Sequence, residues 1–265
     1  MYSIRVVITV ILISQLLLGM STRHTNRPFS PKTTTIFHKL GDRNVHLKVS
    51  RYGETEDLVM INLHDDEYTS VIAARKLLER EGGVLITIKN NNKRNIRFRL
   101  MGQSYMFDPN RIFSRQGIVE ALKAEGNISE PAIEQVERFA SRIIQLFPED
   151  PSCIIALHNN TDGHFSINSY RAGNPNSSDA KAVYVNPTED PDDLFLTTDA
   201  DLYHQLAKRK YNVILQDNGR ANKDGSLSVY CGEKGIRYLN CETEHGKTAQ
   251  YLEMMMAAVA SLERK

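Results

Sequence analysis

Short apolar runs of strand length alternate along this chain with stretches whose apolar residues recur at helical spacing. Residues 57–63 (DLVMINL), 84–88 (VLITI), 153–157 (CIIAL), 212–216 (NVILQ) and 236–241 (IRYLNC) predict strands. Between them, 70–80, 129–147, 199–210 and 246–262 predict helices. The double glycine Gly82-Gly83 stops the first helix, and Ser129-Glu130-Pro131 opens the second with a cap residue and an early proline. The strand runs are apolar throughout rather than alternating, as in strands covered on both faces. The pattern therefore predicts an α/β fold, a three-layer sandwich in which helices flank a mixed, mainly parallel central sheet. Residues 159–193 are rich in Asn, Asp, Ser, Pro and Gly and read as one long loop, a functional surface or lid.

Composition narrows the classes. A net charge of +1 with 25% charged residues gives no basic excess for a nucleic-acid groove. The cluster Lys93, Arg94, Arg97 and Arg99 is too small to make one, so no nucleic-acid partner is expected. At the start, Arg5 precedes a nearly unbroken apolar run from 6 to 20, with the small residues Gly19 and Ser21 spaced for cleavage. This predicts a signal peptide over 1–21, a flexible N-terminus over 22–35 and one domain over 36–265. The alternative is an uncleaved anchor, but 15 apolar residues are short for a span. No second apolar run exists, so the expectation is a secreted or periplasmic protein without stable membrane insertion. Of the three cysteines, Cys153 and Cys241 read as small core residues, and a Cys231–Cys241 bridge is left open.

Three polar clusters follow directly on apolar strands: His64-Asp65-Asp66-Glu67, His158-Asn159-Asn160 and Glu242-Thr243-Glu244-His245. Carboxyl ends of parallel strands share one sheet edge, where sites assemble. Two imidazoles and a carboxylate, His64, His158 and Glu67, suit one zinc ion with a free fourth position. Such a site needs a further carboxylate to accept and return a proton; Glu242 is preferred over Glu244. A fourth cluster, Asp108-Pro109-Asn110-Arg111, offers Arg111 for bidentate recognition of a carboxylate and Asn110 for a directed hydrogen bond. Each cluster also has a plain structural reading. HxxE fits an acidic helix start, His158 fits a core histidine, Arg111 a solvated cation, and Glu242 and Glu244 a charged strand end. The combination outweighs these because three strand ends carry compatible groups.

In that order the residues resemble the zinc carboxypeptidase superfamily, including its succinylglutamate desuccinylase and aspartoacylase branch. The resemblance rests on HxxE at His64 and Glu67, DPNR at Asp108 to Arg111, the third-ligand His158 and the late Glu242, and covers roughly 57–246. It implies a sheet of about eight strands between helices, one zinc ion, and hydrolysis of an amide bond next to a carboxylate in a small peptide or N-acyl amino acid. It also implies a carbonyl-polarising arginine, for which Arg94, Arg97 and Arg99 compete, with Arg99 carried forward, and a substrate-closing tyrosine, for which Tyr230 is the candidate. Two departures stand out: Asp65 replaces the usual Gly after the first His, and Leu157 replaces the usual Asp before the third. The alternatives are a muramoyl-alanine amidase design, which also uses two His and one Glu but spaces them more widely, and a non-catalytic binding domain.

Overall fold

The protein is described from a computed structural model covering residues 28–163 and 165–262; the expected signal peptide lies outside the described residues. Eleven strands run β1 (Lys32–Leu40), β2 (Arg43–Tyr52), β3 (Leu58–Asn62), β4 (Gly83–Lys89), β5 (Ile96–Leu100), β6 (Gln103–Phe107), β7 (Cys153–Asn160), β8 (Ala180–Tyr184), β9 (Leu194–Thr197), β10 (Asn212–Gln216) and β11 (Tyr238–Glu244). Six α-helices accompany them: α1 (Tyr68–Glu81), α2 (Arg115–Ala124), α3 (Glu130–Ile144), α4 (Ala200–Lys208), α5 (Leu227–Lys234) and α6 (Thr248–Leu262). Nine strands form one mixed sheet in the order β1-β2-β4-β3-β7-β11-β9-β10-β8, and β5–β6 form a separate hairpin.

Alternation along the strands sends side chains to two cores. Val59, Ile61, Ile154 and Ala156 face one layer with Ile118 and Leu122 of α2, Phe139 of α3 and Cys231 of α5. Met60, Ile155, Leu157 and Cys241 face the other with Leu77 of α1, Leu206 of α4 and Met254 of α6. Both faces are covered, which is why these strands read as unbroken apolar runs. Helix starts follow local chemistry: Ser114, Ser129, Asp199 and Ser226 each cap with a side-chain oxygen that accepts a backbone N–H one turn on.

The central strands β4, β3, β7 and β11 are mutually parallel, as expected, while both sheet edges are antiparallel. Three expectations change. Residues 32–35 belong to β1, paired with Lys48 to Arg51, rather than to a flexible N-terminus. The stretch 159–193 is not one loop: β7 runs on through Asn160, and β8 pairs antiparallel with β10. The cysteines Cys153, Cys231 and Cys241 are all buried and free, so no Cys231–Cys241 bridge forms. Among the described residues no helix is long and apolar enough to cross a membrane.

Candidate metal centre

Strands β3, β7 and β11 lie side by side and point the same way, so their carboxyl ends meet. On β11, Glu242 is the register partner of His158 on β7. His64 follows β3, and a tight turn, in which Glu67 N donates to His64 O at 3.1 Å, returns Glu67 beneath it just before α1.

The three donors form a small triangle. His64 Nδ1 lies 3.2 Å from His158 Nδ1, 3.0 Å from Glu67 Oε1, and Glu67 Oε2 lies 2.9 Å from His158 Nδ1. Tetrahedral zinc with bonds of about 2.0–2.1 Å holds its donors about 3.3 Å apart, so the spacing fits that ion. The chemistry of the donors agrees. Asp108 Oδ1 accepts a hydrogen bond from His64 Nε2 at 2.7 Å. An ionised carboxylate only accepts, which leaves a lone pair on His64 Nδ1 aimed at Glu67 and at the second imidazole. Burial opposes a charged imidazole, yet Glu67 and Asp108 together raise the His64 pKa to about 9. Burial likewise opposes charge on Glu67, but His158 and His64 hold its carboxyl well below the usual range.

The departures noted in the sequence find structural explanations here. Asp65 is buried, and its Oδ2 accepts N–H bonds from Asn90 at 2.7 Å and Asn92 at 3.0 Å while Lys89 pairs with Oδ1. Asn91 and Asn92 both adopt positive φ, so the turn is sharp. Asp65 thus pins the turn that delivers Arg94, whose guanidinium pairs with Glu67 and, at 3.4 Å, with Asp108. The missing aspartate before His158 is not replaced: His158 Nε2 is buried with no hydrogen-bond partner among the described residues. The orienting carboxylate serves the other histidine, through Asp108.

A cleft of about 540 Å³ opens over the triangle, and Glu67, Arg94, Asn110, Arg111, His158 and Glu242 all line it. A larger depression, about 850 Å³, lies at the opposite edge around Asp57, Asp199 and Arg237 and contains none of the donors. Glu242 is buried and accepts from Asn240 Nδ2 at 3.0 Å; burial raises its pKa, which nearby His158 opposes. Glu244 is instead engaged by Lys247 at 3.0 Å and does not line the cleft. Arg99 and Tyr230 also fall outside it. In β5 the alternating register buries Ile96 and Phe98 and turns Arg97 and Arg99 to solvent, so Arg94, ahead of the strand, is the arginine of the three that reaches the cleft. Tyr230 packs against Phe113 at 6.1 Å between ring centres, while Tyr170 lines the cleft in a segment that read as loop. A long polar stretch gave no signal to single out Tyr170.

Asn110 and Arg111 sit in a short 3-10 turn (Pro109–Arg111) capped by Asp108, whose side chain accepts from Asn110 N. Asn110 Oδ1 accepts from Leu227 N at 3.0 Å, and Phe113 N donates to Gly225 O at 2.9 Å, which locks this turn to the start of α5. The lock depends on two glycines in contact. A Cβ at Gly117 would stand 2.4 Å from Gly225 Cα and 2.7 Å from the Arg111 carbonyl. Gly117→Ala is therefore expected to cost about 1–3 kcal/mol by overpacking. The variant should show a lower midpoint in denaturant; an unchanged midpoint would count against the lock.

No family model matches the chain, and no curated protein matches it. Solved structures that are similar to it include murein-tripeptide amidase MpaA from Escherichia coli O157, with 13% identity over 92% of this chain and 97% of that one and a TM-score of 0.41. An aspartoacylase family protein from Mesorhizobium loti gives 14% identity over 89% and 69%, with a TM-score of 0.43. Bovine thrombin-activatable fibrinolysis inhibitor, in complex with tick carboxypeptidase inhibitor, gives 12% identity over 88% of each chain and a TM-score of 0.47. At such identities and scores the likeness is one of fold and carries no statement of activity.

Proposed function

We propose that this chain is a zinc-dependent hydrolase that cleaves an amide bond next to a carboxylate, in a small peptide or an N-acyl amino acid. The observation that carries the proposal is the donor triangle of His64, Glu67 and His158, at zinc-like spacing, in a cleft that Glu242 and Arg111 also line. Zinc held there would polarise a carbonyl and lower the pKa of water.

The chain's own groups supply the rest. Arg111, half exposed and 3.5 Å from Asp224, presents its guanidinium to the substrate carboxylate, and Asn110, held through Oδ1, keeps its amide N–H group for the same ligand. Arg94 faces the carbonyl oxygen and stabilises the negative charge that grows on it. Glu242 takes the proton from attacking water at one carboxylate oxygen and passes it to the leaving nitrogen. Its raised pKa suits both halves of that task. The leader-like apolar run over 6–20 supports an exported location.

Purified protein is expected to contain one zinc per chain and to hydrolyse N-acyl amino acids or short peptides. A chelator should abolish turnover and added zinc restore it. Amidating the substrate carboxylate should lower kcat/KM by about tenfold or more, since the charge-assisted hydrogen bonds from Arg111 to that carboxylate are lost. Sub-stoichiometric zinc that does not change in His64→Ala would refute the proposal.

A further inference from the structure

A second group of carboxylates stands at the same sheet edge, apart from the zinc donors. Asp162, Asp192 and Glu244 bring one oxygen each within 4.8 Å of one another. Asp162 is exposed and follows β7, Asp192 is 2% exposed and precedes β9, and Glu244 ends β11. Asp192 Oδ2 accepts from Gly163 N at 2.8 Å, which ties the two loops together. Lys247 spans Asp190 at 2.7 Å and Glu244 Oε1 at 3.0 Å, while Asp162 and Asp192 have no ion-pair partner among the described residues. Burial, and then the charges of Asp190, Glu244 and Asp162, push the Asp192 carboxyl up, against the N–H of Gly163. A neutral oxygen joins the group. Asn160 is 6% exposed and is the register partner of Glu244, so both side chains leave the same face of the sheet, about 5 Å apart. Its Nδ2 donates to Asp192 O at 2.6 Å and to Phe165 O at 3.3 Å, which fixes the orientation of the amide. Its Oδ1 is buried with no hydrogen-bond partner among the described residues. The neighbouring carboxylates of Asp192 and Glu244 only accept when ionised and cannot satisfy it, whereas a metal ion satisfies a carbonyl oxygen and carboxylates together.

We infer that Asn160, Asp162, Asp192 and Glu244 form a site for a hard divalent cation, calcium, separate from the zinc site. All four donors are oxygens, the ligands that suit calcium. Oxygens within 4.8 Å of one another can share one ion at about 2.3–2.6 Å each. Calcium tolerates the irregular geometry that two loops and two strand ends provide, whereas magnesium demands near-ideal octahedra. Lys247 keeps Glu244 Oε1 and leaves Oε2 for the ion. Asn160 and Glu244 stand two residues beyond His158 and Glu242 on β7 and β11, so the ion ties together the strand ends that carry those two residues. Bound to the folded chain, it also stabilises the fold by mass action. The inference does not depend on the hydrolase reading.

The test uses zinc-loaded protein dialysed into calcium-free buffer. Calorimetry with calcium chloride is expected to show one ion bound per chain. The thermal midpoint should rise by roughly 3–6 °C at a calcium concentration ten times Kd, and sodium chloride at equal ionic strength should give no comparable rise. Asp162→Asn and Asp192→Asn should each weaken calcium binding by about tenfold or more, because the charge of the ligands sets the affinity. Neither should lower the midpoint without calcium, since each relieves repulsion among the carboxylates and Asp192→Asn keeps an acceptor for Gly163 N. Asp162 is exposed, so its variant decides the matter even where Asp192→Asn folds poorly. Absence of calcium binding in wild type, or equal binding in wild type and both variants, overturns the inference. Zinc content measured on the same samples should be unchanged in both variants, so loss of the calcium site and loss of the zinc site are read separately.

Discussion

Glu242→Gln is expected to lower kcat by about 10²–10⁴-fold, the usual contribution of a placed acid–base group, while the protein keeps its full complement of zinc. The substitution preserves shape, and the remaining Oε1 still accepts from Asn240 Nδ2. Glu242 is not one of the three clustered donors, so metal content should not change. Only the ability to accept and return a proton is lost. The pH profile gives a second check. Burial raises the Glu242 pKa above that of an exposed glutamate. The carboxylate base therefore appears only above that raised value, and kcat/KM of the wild type should fall as pH drops through it. In Glu242→Gln the residual rate should lack this acid limb. A variant with wild-type kcat would show that the proton passes through another group.

His158→Ala is expected to lower zinc affinity by more than about 10²-fold, beyond the 10–100-fold typical when only an orienting partner of a ligand is lost. Its imidazole is one corner of the triangle, and two donors cannot close a structural or catalytic zinc site. Asp108→Asn makes the contrast. It alters the partner of His64 Nε2 without removing a donor, so it should fall within that 10–100-fold range. Zinc titration against a competing chelator measures both. The His158→Ala chain should still fold, because the apolar residues before it on β7 pack into both cores independently of the imidazole. Circular dichroism would confirm this. Equal zinc affinity in His158→Ala and wild type would remove His158 from the site.

How far the site was legible depends on the kind of information each residue carries. His64, Glu67, His158 and Glu242 stand at the ends of apolar runs, and a run of strand length is visible without coordinates. Parallel neighbours then force those ends together, which is the relation seen between β3, β7 and β11. Asn110 and Arg111 were legible because Asp108-Pro109 marks a turn locally. Arg94 and Arg99 were not separable in the same way. Five residues apart, they differ only in that one precedes strand β5 and is drawn in by a turn tied to Asp65, while the other lies on its outward face. Tyr170 and Tyr230 differ likewise through the packing of two distant segments.

The sequence by itself determined the α/β class, the central strands, helices α1, α3, α4 and α6 and the polar side chains that stand at the strand ends, because apolar periodicity, cap chemistry and strand-end polarity are local properties. Only the tertiary structure decided the antiparallel edges, where β1 is threonine-rich and β8 is short, and the partnership of Asp108 with His64. The same holds for the Gly117–Gly225 contact. Each of these depends on distances between residues far apart in the chain, and such distances are set by how layers pack and how charges are shared across a cleft.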